Sequence, residues 1–205
     1  LSGRLSANDS HGQLELSSEN AQLDMPSWFR NTLDIKRLRG RLDWWLDADG
    51  WQIVSDGLAL DSADFETLSD LNLWLPKGEL SPQIQLRTTF GHFTDISQVP
   101  KYLPAGIMDP GAIGWLDPAF VAGQVSRGEM LLYGELNRFP FTDGGGRFET
   151  VFIIENGEIQ VNEDWPHLRD IYADVQFLGD DLQVTILDGR SEQVGIDHAV
   201  VTIPD

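Results

Sequence analysis

Apolar and polar residues alternate along most of the chain, and a period of two marks a strand with one buried face and one wet face. Leu38, Gly40, Leu42, Trp44 and Leu46 fall on one side, while Arg37, Arg39, Arg41, Asp43 and Asp47 fall on the other. Asp47-Ala48-Asp49-Gly50 then reads as a turn, with Gly50 able to take positive φ, and Trp51-Gln52-Ile53-Val54 returns as the hairpin partner. The pattern recurs at 71–75 and 84–90, divided by Pro76-Lys77-Gly78 and Ser81-Pro82, and again at 130–136, 148–154, 159–161, 182–186 and 199–203. Strands this closely spaced, with no long helical pattern between them, predict a mainly β protein built as an antiparallel meander in one continuous sheet.

Helix signals are confined to two places. Within 95–122, Asp109-Pro110 and Asp117-Pro118 each place a capping acceptor before a proline at a first helical position, and Gly123 reads as a stop. Asp164-Trp165-Pro166-His167-Leu168 predicts one further short helix around 165–170, before Val175-Gln176-Phe177 resumes as strand. The chain 1–205 therefore reads as a single β segment, in which a helical insertion at 95–123 offers a subdivision into 1–94 and 124–205. Because the strand pattern is already running at Leu1 and still running at Asp205, the chain is expected to be a segment of something longer.

Composition narrows the function classes. Hydrophobic residues at 41% and aromatics at 10% belong to a folded chain. A net charge of -19 with a pI near 4.3 opposes phosphate backbones and anionic membrane surfaces, so no nucleic-acid partner is expected. No apolar run is long enough for a transmembrane helix. With no cysteine there is no disulfide, thiolate metal site or cysteine nucleophile.

Motifs for chemistry are missing as well. His11, His92, His167 and His198 lack a second ligand at a spacing such as His-x-x-x-His, and Asp47-Ala48-Asp49-Gly50 lacks the later ligands of a calcium loop. Gly144-Gly145-Gly146 lacks the Lys-Ser/Thr ending of a phosphate loop, and no serine sits in a Gly-x-Ser-x-Gly context. Pairs such as Asp43 with Asp47 or Glu155 with Glu158 are expected by chance among 33 acidic residues. Neither catalytic residues nor a metal or cofactor site is expected. Trp44 and Trp45 are adjacent, so in a strand they face opposite sides, and Trp45 is expected to pack under a loop or an end helix.

Across 99–178 the residues resemble the YhdP-like members of the AsmA-like superfamily. The similarity is carried by Tyr102-Leu103-Pro104, Trp115-Leu116, Gly123-Gln124-Val125 with Gly128, Gly134-Glu135-Leu136-Asn137-Arg138-Phe139-Pro140-Phe141, Gly146-Arg147-Phe148, and Trp165-Pro166-His167-Leu168 followed by Phe177-Leu178-Gly179. The resemblance implies a segment of a long periplasmic protein of the Gram-negative envelope, anchored in the inner membrane elsewhere in its sequence. It implies a curved antiparallel sheet, a taco-like repeating β-groove whose apolar lining lets phospholipids pass toward the outer membrane. The implied partners are phospholipid acyl chains and neighbouring segments of the same chain, and no catalytic residue carries over.

An acyl chain needs a continuous apolar strip, because burying each CH₂ is worth about 0.8 kcal/mol. Alternation offers Leu38, Leu42, Trp44, Ile53, Leu73, Leu86, Phe90, Met130, Leu132, Leu136, Phe152 and Ile154 as its lining. A closed sandwich would show the same alternation. A carbohydrate-binding or structural β module of the cell envelope is the competing reading.

Overall fold

Each alternating stretch forms a strand, and consecutive strands pair in order. The computed structural model describes residues 2–203 apart from 107, 109, 140, 142, 163 and 180. Among them, β1 (Gly3–Ala7), β2 (His11–Leu23), β3 (Leu33–Leu46), β4 (Gly50–Ser62), β5 (Glu66–Pro76), β6 (Gln83–Phe93), β7 (Phe120–Glu135), β8 (Gly146–Ile159), β9 (Leu168–Leu178), β10 (Asp181–Ser191), β11 (Val194–Ile196) and β12 (Ala199–Ile203) make one open 12-stranded antiparallel sheet. Chain order is sheet order from β1 to β11, and β12 turns back to pair with β10. Between β6 and β7 lie a 3-10 turn (Ile96–Lys101) and the helix α1 (Pro110–Ala119). β6 and β7 pair from Gln83↔Glu135 to Phe93↔Val125, so the insertion interrupts the chain but leaves the sheet continuous.

Register carries the alternation of single strands across the whole sheet. Leu14↔Leu42, Leu42↔Ser55, Ser55↔Leu71, Leu71↔Leu86, Leu86↔Leu132 and Leu132↔Phe148 form one row, and Trp44↔Ile53, Ile53↔Leu73 and Leu73↔Ile84 form the next. Cross-strand partners point to the same side, so one face is apolar over many strands. On the opposite face, register sets charged residues across from one another, as at Glu15↔Arg41, Arg37↔Asp61 and Asp70↔Arg87, and of these Arg37 and Asp61 form an ion pair.

Toward the hairpin end that carries the insertion, the strands are bulged. Asn20, His92, Asn156 and Asp170 take positive φ, as does Gly123, and pairing slips between Ile35 and Arg37, Val125 and Gly128, and Ile154 and Gly157. A bulge bends its strand and adds twist, so a row of them creases the sheet. Beyond the crease the ends of the strands enclose the insertion. Ile96, Leu116, Phe120, Val125, Ile154, Ile159, Ile171, Ala173, Val175, Leu182 and Ile186 form a closed core that straddles the crease, with Phe93 stacked on Phe65 at 4.8 Å.

The insertion also shows that the sheet is rolled. The β2–β3 and β8–β9 connections are six strand positions apart, about 29 Å on a flat sheet. Yet Asp117 of α1 accepts from Arg30 in the first connection at 2.6 and 2.7 Å, while Trp115, two residues away, donates through Nε1 to the Val161 carbonyl in the second at 3.1 Å.

Four local expectations differ from the structure. The short helix around 165–170 does not form, because residues 164–167 are a turn and β9 begins at Leu168. Asp117-Pro118 lies in the last turn of α1 instead of opening a second helix, and Gly123 sits inside β7 at φ 129° instead of stopping a helix. α1 begins at Pro110 as expected, and Asp109, the cap expected from the sequence, lies outside the described residues. Gly50 does not take positive φ; it is needed because a Cβ there would meet the Leu75 carbonyl oxygen at 2.3 Å.

Candidate functional site

The apolar face has two parts. Under the insertion it is a closed core. Toward the opposite hairpin end, on β2 to β7, Leu14, Leu42, Trp44, Ile53, Leu73, Ile84, Leu86 and Leu132 are each half-buried, shielded by neighbouring side chains of the sheet, while the insertion packs on β7. The strands therefore floor a trough whose apolar rows run perpendicular to the strand direction.

Register places Leu38, Leu42, Trp44, Ile53, Leu73, Leu86, Phe90, Met130, Leu132, Phe152 and Ile154 on this one face. They do not share one environment. Ile154 has no exposed surface and belongs to the closed core, against which Phe90 and Phe152 pack. Leu42, Trp44, Ile53, Leu73, Leu86 and Leu132 lie in the open part. Leu136 is off the strands, on a 3-10 turn (Leu136–Arg138) where its N–H donates to the Pro82 carbonyl at 2.9 Å. Trp45 is on the outer face and 41% exposed, so it packs under neither a loop nor a helix.

Glycines on the trough floor make room for rings. A Cβ on Gly12 would stand 2.3 Å from the Trp44 indole, and one on Gly128 would stand 2.3 Å from the Phe90 ring. Over Gly128 the rings of Phe90, Phe152 and Phe177 succeed one another at 6.2 and 6.5 Å. Phe141 is buried against Gly134 and Gly146, and Phe139 meets Phe148 edge-on at 5.5 Å, so the β7–β8 connection closes one corner of the trough. Pro140 between them lies outside the described residues.

A seam of hydroxyls separates the open part from the closed part. Ser69 and Thr88 bond to each other at 2.9 Å, and the Thr150 hydroxyl donates to the Glu129 carbonyl at 3.1 Å; Ser55, 5% exposed, lies in the neighbouring row with Leu42 and Leu71, and its Oγ has no partner among the described residues. At the hairpin end, polar contacts pin the insertion to the β2–β3 and β4–β5 connections. Arg30 grips the Asp117 carboxylate with both terminal nitrogens and reaches the Pro100 carbonyl at 3.0 Å, the Gly106 N–H donates to the Trp28 carbonyl at 2.9 Å, and the Tyr102 hydroxyl donates to Asp64 at 2.5 Å. The Arg30 hydrogen bond holds the Asp117 carboxyl below the usual carboxylate range, against a smaller opposing effect of burial. Burial, then the Asp64 contact, pushes the Tyr102 hydroxyl up to about 12.

The remaining polar candidates have structural partners. His167 bonds Glu158 at 2.7 Å, and together with Arg169 it holds that carboxylate below its ordinary range; His92 faces Glu66 at 3.3 Å. Asp43 is paired with Arg41. Among the described residues no three His, Asp or Glu side chains converge as a metal site, and no helix is long and apolar enough to cross a membrane.

Alternation missed several trough residues. Leu14, Leu71, Ile84, Phe148 and Phe177 belong to it because register sets them beside Leu42, Leu86, Leu73, Leu132 and Thr150. Periodicity gives the side of a residue within its own strand but not its neighbour in the next.

The described residues thus define an open, rolled antiparallel meander with one apolar face. The chain matches the YhdP protein family over residues 1–205 and belongs to it. It is 22% identical over 206 residues to the intermembrane phospholipid transporter YhdP of Escherichia coli (strain K12), an alignment that covers all of this chain and 16% of that relative. The chain thus spans about a sixth of the curated relative it matches, and that relative is a transporter rather than an enzyme. No solved structure matches the chain.

Proposed function

We propose that this chain is a non-enzymatic lipid-binding segment of a bridge-like protein, and that it helps phospholipids pass between the inner and outer membranes by holding their acyl chains against the open trough. The observation that carries this reading is the uncovered apolar strip of Leu42, Ile53, Leu73, Leu86 and Leu132, continuous over neighbouring strands, in a member of a family whose matched relative is a phospholipid transporter. A strip perpendicular to the strands suits a chain of methylenes, since each CH₂ laid on it leaves water at about 0.8 kcal/mol. Headgroups stay at the rim, where the polar hairpin turns meet solvent.

In this reading β1 at one side of the sheet, and β11 and β12 at the other, offer unpaired backbone to neighbouring segments of the same chain, which would lengthen the trough in the periplasm. The parent protein's anchor lies in the inner membrane. Mass spectrometry of lipids co-purifying with the chain tests the proposal. Phospholipid is expected at a defined stoichiometry, and Leu42→Asp or Leu86→Asp should remove it while the strand signal in circular dichroism persists. A chain that carries no phospholipid and takes none up from vesicles would overturn it.

A further inference from the structure

The outer, polar face carries a concavity that the trough does not use. Beside the turn 143–146, strands β5 to β8 form a cleft of about 770 Å³ lined by the outer-face residues Asp70, Asn72, Gln85, Arg87, Tyr133 and Arg147, and also by Leu71, Leu86 and Leu131. Register sets these side by side: Asn72↔Gln85, Gln85↔Tyr133 and Tyr133↔Arg147 make one row, and Asp70↔Arg87 begins the next. Tyr133, 50% exposed, presents an aromatic surface at the middle of the cleft. Arg87 and Arg147 stand one strand to either side of it and one row apart, about 12 Å from each other on the sheet's spacings.

The charge here runs against that of the molecule. Acidic residues outnumber basic ones 33 to 14, and Arg30, Arg37, Arg41 and Arg138 are each held by an aspartate. Arg87 has no ion pair or hydrogen bond among the described residues, and Arg147 touches only Glu149, at 3.3 Å, with most of its side chain in solvent. The amides and the carboxylate are partly committed: Asn72 Oδ1 accepts from Gln52 and Asp70 Oδ1 from the Gly57 N–H at 3.0 Å. Among the described residues the Asn72 NH₂, the other Asp70 oxygen and the Gln85 amide have no hydrogen-bond partner.

An exposed ring flanked by two guanidinium groups, with amide and carboxylate groups in reach, matches a sugar that carries a carboxylate. We propose that this cleft binds a carboxylated saccharide. The pyranose stacks its C–H face on Tyr133, its carboxylate takes the planar fork of Arg87, and its hydroxyls bond Asn72, Gln85 and Asp70. The inference stands apart from the lipid reading, because the cleft is on the face opposite the trough.

Titrating the 205-residue chain with oligogalacturonate, malto-oligosaccharide and inorganic phosphate, followed by amide chemical shifts, tests it. Saturable binding of oligogalacturonate is expected, at least tenfold tighter than that of the neutral sugar or of phosphate. Tyr133→Ala and Arg87→Gln should each weaken it at least tenfold, while Leu42→Asp in the trough leaves it unchanged. Absence of saturable binding, equal binding of the neutral sugar or phosphate, or indifference to Tyr133→Ala and Arg87→Gln would overturn the proposal.

Discussion

Gly128 lies under two aromatic side chains, and a methyl group there would stand 2.3 Å from the Phe90 ring and 2.8 Å from the Phe152 Cβ. Overpacking of this kind costs about 1–3 kcal/mol. Gly128→Ala should therefore lower the urea midpoint by a corresponding amount with the slope unchanged. Ser55 has the opposite defect, a buried hydroxyl without a partner. Removing it relieves part of a desolvation cost of about 1–3 kcal/mol, so Ser55→Ala should raise the midpoint, and a fall would mean that the hydroxyl has a partner in solution. Some of this was legible in the sequence. Adjacency alone sends Trp44 and Trp45 to opposite faces, but only the pairing of β2 with β3 shows that Trp44 lies over Gly12.

At the scale of elements, the insertion between β6 and β7 decides which part of the apolar face is closed. Its pins titrate in opposite directions. The Asp117 carboxyl is depressed in the folded state, so its contribution is present above the unfolded value of about 3.9 and is lost as pH falls through the lower folded value. The Tyr102 hydroxyl is raised to about 12, so its contribution is complete below the unfolded value of about 10 and is lost as pH climbs through 12. The near-ultraviolet circular dichroism of the chain should be flat from about pH 5 to 9 and decline on both sides of that window. Arg30→Ala should speed hydrogen exchange across 96–119 and leave the amides of β4 and β5 protected, whereas uniform loss of protection would mean that the insertion and the sheet unfold together. Pro110 marked the start of α1 in the sequence, since proline fits a first helical turn. The bulges at Asn20, His92, Asn156 and Asp170 left a trace in the sequence, since Asn, Asp and His are the residues other than glycine that most readily take positive φ, but a period of two does not register it.

For the whole molecule, alternation established a sheet with one apolar face but left open whether that face was a groove or a core. The same face is fully buried at Ile154 beneath the insertion and half-buried at Leu42, Leu86 and Leu132, and the proposed trough takes in only the second part. Periodicity does not reveal this, because Ile154 and Leu132 occupy equivalent positions in their strands and differ only in what lies above them. The most direct test of the trough is site-specific photo-crosslinking to phospholipid, with the probe placed in turn at Leu42, Leu86, Leu132, Ile154 and Trp45. Adducts are predicted at Leu42, Leu86 and Leu132 and not at Ile154 under the insertion or at Trp45 on the outer face; equal labelling of both faces, or none in the trough, would contradict the account.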